Sequence, residues 1–223
     1  MQEDDAPRAD RQSPVGKPVI RGDPQVTGQT PDEAVQFDPD DPESVVAAAD
    51  TVAKFATSSV GDDDHVYVLR GAAACAALVR GVGSYKTAAE RTDGVASVSF
   101  ILKWARVHDL PRSIRLHVAR GDIAPTAAKH IARVAGKARF HLAWAVLDAG
   151  LTVRDVRALA SAVDDDTTIE TALRDHGIRP GHLELDLPLD AYCELRRQAA
   201  EEGRTPGAVL ADALATYDPE RYG

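Results

Sequence analysis

From Pro42 the chain alternates apolar and polar residues with a helical period. Val45, Ala49, Val52 and Phe55 recur three or four residues apart, which predicts a helix starting near Glu43. GDDD at 61–64 reads as a turn and N-cap for the apolar run Val66–Val79, which stops at the Gly81-Val82-Gly83 break. Ser84 caps a short helix, YKTAAERT, and the turn TDG leads into VASVSFILKWARVH. In that helix Phe100, Trp104 and Val107 share one face, while Ser99, Lys103 and Arg106 lie elsewhere. Leu110-Pro111 ends it, because a residue before proline avoids the α region.

The same punctuation continues downstream. RSIRLHVAR pairs Ile114 with Val118 and closes at Gly121. Pro125 sits at N1 of a helix predicted to run to Gly136, and KARFHLAWAVLDAG is a further helix closed by Gly150. TVRDVRALASAV follows, and Thr167 with Glu170 suggests a capping box for a helix ending at Gly177. The period changes to two at His182, where Leu183, Leu185 and Leu187 alternate with His182, Glu184 and Asp186, the pattern of a strand. Two helices follow, one closed by Gly203 and one opened by Thr205 and Pro206. One strand and two helices cannot close a sheet, so the strand edge calls for a second copy of the chain.

The expected organisation is an acidic disordered tail at 1–41 and N-terminal helices at 42–83 packing on the core. A helical domain at 84–163, a short helix and linker at 164–181, a β-α-α module at 182–217 and a tail at 218–223 complete it. The fold class is mainly α with one C-terminal strand.

Charge then changes the picture. The formal net charge of the 223 residues is -9, yet residues 84–160 hold 13 basic and 6 acidic residues, a local balance of +7. Such asymmetry points to a polyanion. Twenty of the 26 basic residues are Arg, and Asp comes in runs at 62–64 and 164–166, a composition of halophilic-archaeal type in which a negative total argues little against nucleic acid.

Short helix, turn, second helix is also the order of a helix-turn-helix, whose second helix enters the major groove. The run RVHDLPRSIRLHVARGDIAPTAAKHI resembles the DNA-binding domain of the ParB/Spo0J/KorB family of partition proteins. The likeness rests on Arg106, Leu110-Pro111, Ile114, Gly121-Asp122-Ile123, Ala128 and Lys129, and on AGLTVRDVRAL further on. It covers about 84–160 and implies a ParB-like helix-turn-helix domain. Nothing before Ser84 matches that family's nucleotide-binding motif Gly-x-x-Arg-Arg, so no nucleotide-dependent clamp is implied.

Residues 182–217 resemble a ribbon-helix-helix module of CopG and Arc type, through Leu-Asp-Leu-Pro, Glu-Gly and Arg-Thr-Pro. That likeness implies an antiparallel ribbon between two copies through Leu183, Leu185 and Leu187. Glu184 and Asp186 on its outer face favour dimerisation over DNA contact.

These readings imply a cytoplasmic, nucleoid-associated, homodimeric protein that binds double-stranded DNA as a transcription regulator or partition factor. It would have no enzymatic activity, cofactor, small-molecule substrate or membrane partner. Ser97, Ser99 and Lys103 are the candidates for base or groove contact. Arg106, Ser84 and Lys86 would hold phosphates, and Thr126, Lys129 and Arg133 the adjacent backbone. The rival reading is an interaction or scaffold protein that keeps the helices without binding DNA.

Other chemistry falls away on residue type. GVGSYKT lacks the glycine before lysine that a P-loop needs, and an Ala-rich helix precedes it rather than a strand. The seven histidines form no His-x-x-x-His pair, and Cys75 and Cys193 match no metal spacing. The run Val66–Val79 is interrupted by Arg70 and falls short of the roughly 18 to 20 residues of a membrane span, so it reads as a buried helix.

Overall fold

The computed structural model of the chain describes residues 37–57, 65–164 and 166–217. Most of the expected acidic tail, the GDDD turn and the last six residues lie outside that range. The chain divides into two compact units, with the boundary between Gly181 and His182.

In the first unit α1 (Pro42–Thr57) and α2 (His65–Val82) form the base on which the rest is built. Then come α3 (Tyr85–Arg91), α4 (Val98–His108), α5 (Arg112–Arg120), α6 (Pro125–Ile131), α7 (Ala138–Ala149), α8 (Val153–Ala162) and α9 (Ile169–Asp175). Helix α2 is central: it packs on α1 and α4 most extensively and also touches α3 and α5. Its composition explains why. Gly71 to Leu78 are all buried, and the small side chains let neighbouring helices approach closely. By length and hydropathy α2 would pass for a membrane span, yet it is a core helix wrapped by its neighbours.

The closest approach is at Gly71. A Cβ added there would overlap the ring of Phe55 from α1. That ring in turn lies 5.0 Å from Trp104 and 5.3 Å from Phe100 on α4, and 5.9 Å from Tyr67 on α2, all edge-to-face. An ion pair between Arg80 and Asp109, 2.7 Å long, joins the end of α2 to the end of α4.

Local stops and starts follow the residues that force them. Ser97 caps α4 by accepting a hydrogen bond from the Phe100 N–H at 3.1 Å. Gly121 ends α5 with φ +87°, a left-handed conformation that only glycine adopts without strain. Helix α6 opens on Pro125 but ends at Ile131; the expected run to Gly136 is replaced by turns from Ala132 onward. The capping box lies at Thr152 and Asp155 of α8, where each side chain accepts from the other's backbone N–H. It does not lie at Thr167 and Glu170: Thr168 caps α9, while the Asp164 carboxylate accepts from the N–H groups of Asp166 and Thr167.

The second unit holds α10 (Leu189–Glu201) and α11 (Pro206–Thr216), packed on each other. The expected strand is not there. Residues 182–187 form no β-ladder, and no strand occurs among the described residues, so the β-α-α ribbon-helix-helix fold is corrected to helices preceded by a segment without regular secondary structure. The physical reason is that alternation of side chains gives a strand its face but not its hydrogen bonds, and no edge pairs with this segment. Leu183, Leu185 and Leu187 are exposed instead of forming a ribbon interface. The fold class shown is mainly α.

Replacing Gly71 with alanine is expected to destabilise the first unit by about 1–3 kcal/mol through overpacking against Phe55. Urea unfolding of the variant beside the wild type measures it.

Candidate nucleic-acid interface

Helix α4 buries Ile101, Trp104, Ala105 and Val107. Helical spacing therefore turns Ser99, Leu102, Lys103 and Arg106 to the opposite side. Helix α6 buries Pro125, Ala127, Ala128 and Ile131, which leaves Lys129, His130 and the following Arg133 on its outer side. The two outer faces meet. Ser99, Leu102, Lys103, Arg106, Lys129, His130 and Arg133 line one groove of about 370 Å³.

Lys129 joins the helices across the groove floor, its ammonium 4.7 Å from the centre of the Trp104 ring. The charge itself thus lies against the aromatic cluster beneath α4. Among the described residues the lining contains no carboxylate. Leu102 and the aliphatic parts of the lysines and arginines supply apolar walls between the charges.

His130 reports the field of this groove. Its Nδ1 is buried and has no hydrogen-bond partner among the described residues. Desolvation, then the charges of Arg133, Arg157 and Lys129, push its pKa below the ordinary 6.5. The influence of Arg157 brings α8 into the site, and α8 packs directly on α6.

Five of the nine residues expected to contact DNA are therefore gathered in one place: Ser99, Lys103, Arg106, Lys129 and Arg133. Four lie outside the lining. Ser84 caps α3, accepting from the Thr87 N–H at 3.4 Å, and Lys86 is exposed with Glu90 4.0 Å away. Ser97 caps α4, with its hydroxyl 3.4 Å from that of Ser99. Thr126 is half-buried in the first turn of α6. Leu102, His130 and Arg157 were not legible as site residues. The one signal for them was spacing, since Leu102 follows Ser99 by three and His130 precedes Arg133 by three on helices already suspected of binding.

Among the described residues no group of His, Cys, Asp and Glu is placed to hold a metal ion. Burial pushes the Cys75 thiol up to about 12, so it carries no thiolate near neutrality. His141 and His176 face the carboxylates of Glu170 and Asp155 at 2.6 and 3.7 Å, which fasten α9 to α7 and α8.

Comparison with known proteins returns one family, described as a family of unknown function (DUF7119), whose model matches residues 38–178. The chain belongs to this family. No curated protein and no solved structure matches it. The DUF7119 region runs from just before α1 to just after α9, so α1 and α2 belong to the same family unit as the groove rather than to an appendage. The likeness to ParB/Spo0J/KorB proteins over 84–160 is corrected by this match, and the CopG/Arc likeness of 182–217 by the lack of a strand. A short helix, Leu-Pro stop and Gly-x-Ile step are local punctuation, and helical folds of different descent share them.

The pKa shifts carry a stability consequence. Burial, then Arg115 and Arg80, also push His108 below 6.5, against the pull of Asp109. For both histidines the unfolded chain binds the proton more readily than the folded one. Their stabilising effect is complete above about pH 6.5 and is lost as pH falls through the lower folded values. Melting temperatures between pH 7.5 and 5.5 should fall for the wild type and fall less for His108→Gln/His130→Gln.

Proposed function

We propose that this protein binds double-stranded DNA through the groove between α4 and α6, without catalysis, as a regulator or organiser of the chromosome. The observation that carries the reading is the lining itself. Lys103, Arg106, Lys129 and Arg133 converge with Ser99, and the described lining holds no acidic residue, in a chain whose total charge is -9. Gathering Lys103, Arg106 and Arg133 costs self-repulsion, and a phosphate backbone relieves it. Ser99 and Lys103 are both exposed on α4, so the polar side of that helix is open to a partner.

Phosphate contacts of this kind weaken steeply with salt, because each releases counterions from DNA. At about 1 M salt the Debye length is about 3 Å, so only groups in direct contact contribute. A cytoplasm of that salinity favours binding by two copies at once, which multiplies the affinity of each.

Self-association belongs to this reading. In residues 182–217 only Ala199 and Val209 are buried, while Leu183, Leu185, Leu187, Leu189, Tyr192, Leu214 and Tyr217 are exposed. A pair of helices this short does not bury enough apolar surface to be stable alone, and a second copy of the same face supplies it. These exposed residues are also what favours a scaffold role without DNA; a homodimer accounts for them within the DNA reading. Sedimentation equilibrium should find a dimer that Leu189→Asp/Leu214→Asp converts to monomer, whereas a monomeric wild type would contradict this part.

The direct test is fluorescence anisotropy of a duplex DNA fragment at several KCl concentrations. The wild type should bind with a negative slope of log affinity against log salt. Lys103→Ala/Arg106→Ala/Arg133→Ala should weaken binding at least tenfold at low salt and flatten the slope by about three, one for each phosphate no longer neutralised. A folded wild type that leaves the DNA untouched even at low KCl removes the reading.

A further inference from the structure

The first unit leaves few large apolar side chains in water. Among its described residues they are Val46, Val95, Val98 and Leu116, and two of the four stand within four residues of one another at the start of α4. Val95 is 48% exposed and Val98 44%. Neither position is a loose end. The Val95 N–H donates to the Thr92 carbonyl at 3.0 Å, and the next residue, Ala96, is buried and bonded to the Thr92 hydroxyl. Thr92 is itself buried, so the turn is pinned from beneath while Val95 is held outward. Val98 is the first residue of α4, four before Leu102, which lines the cationic groove. Residues at that spacing share a helix face, so Val98 extends the apolar wall of the groove toward the turn.

The polar chemistry at this edge is sparse. Residues 92–99 read TDGVASVS and contain no Arg, Lys, Asn or Gln. The side chains that make paired hydrogen bonds to guanine or adenine are therefore missing from the leading end of the helix. What it offers is two stiff, branched, exposed methyl-bearing side chains, small hydroxyls and, in the turn, the exposed carboxylate of Asp93. In the major groove the matching apolar group is the C5-methyl of thymine.

We propose that Val95 and Val98 are specificity-determining residues that pack against thymine methyl groups, so that the protein prefers A·T base pairs. The inference rests on the DNA reading above and adds to it what the base-reading chemistry is. The division of labour is physical: groove cations hold phosphates and lose affinity with salt, whereas methyl contacts are not screened. Excluded salts strengthen apolar contact, so discrimination persists where steering fails.

The test uses the full chain and two duplexes of equal length, one of alternating dA·dT and one with deoxyuridine replacing every thymidine, which removes only the methyl groups. Wild type should bind the thymine duplex about fourfold more tightly for each methyl contacted, as expected for one buried carbon. Val98→Ser, at an exposed position, should narrow the difference by about fourfold and leave the part due to Val95, while keeping the salt slope of the wild type. Val98→Thr, which keeps one methyl and the β-branch, should retain part of the preference. Equal binding of both duplexes by the wild type overturns the proposal and assigns the valines to a protein surface. So does an unchanged preference in Val98→Ser, which would place the difference in the DNA. Failure of the wild type to bind either duplex at low KCl overturns the DNA reading itself, and this inference with it.

Discussion

The Phe55 ring, seated over Gly71 and edge-on to Phe100 and Trp104, sets the position of every element that matters at the groove. It ties α1 to α2 through a notch that no side chain larger than hydrogen allows, and it ties both to α4. Trp104 passes the constraint on, because Lys129 of α6 lies over its ring. One aromatic cluster therefore fixes the spacing of α4 and α6, and the groove between them is its consequence. The price is a core helix built almost wholly from small residues, which must stay close to its neighbours to bury anything.

Above that cluster the electrostatics run against the whole molecule. A chain with net charge -9 keeps four cations and a neutralised histidine around one concavity. Burial first, and then the nearby charges of Arg133, Arg157 and Lys129, oppose protonation of His130. Under the proposed DNA reading, a cationic groove, an apolar edge at Val95 and Val98, and a second unit proposed to self-associate are complementary answers to one difficulty. Salt erodes the first, leaves the second intact, and is countered by the avidity of the third.

Much of this was legible in the chain. Ser84, Leu110-Pro111, Gly121, Pro125, Gly150 and Thr205 mark helix ends where the structure has them, because caps and prolines act through bonds within a few residues. Ser99, Lys103 and Arg106 share a face for reasons of period alone. What failed needed information from outside the local window. Residues 182–187 alternate as a strand would, but a strand also needs an edge to pair with. Helix α6 stops at Ile131 although good helix formers continue. Thr167 and Glu170 have capping-box spacing, yet Asp164 and Thr168 take the backbone groups first. Arg157 joins the site only through the packing of α8 on α6, which no local pattern contains. The ParB and CopG/Arc likenesses failed for the same reason: they were assembled from local punctuation, and the family match unites residues 38–178 across the boundary they implied.

The central claim is that the α4–α6 groove is where duplex DNA sits, and amide hydrogen exchange of the full chain tests it most directly. With saturating duplex DNA at low KCl, exchange should slow at 97–106 and 129–133 and stay unchanged along the exposed face of α1. Slowing confined to other elements, or none at saturation, would contradict the account.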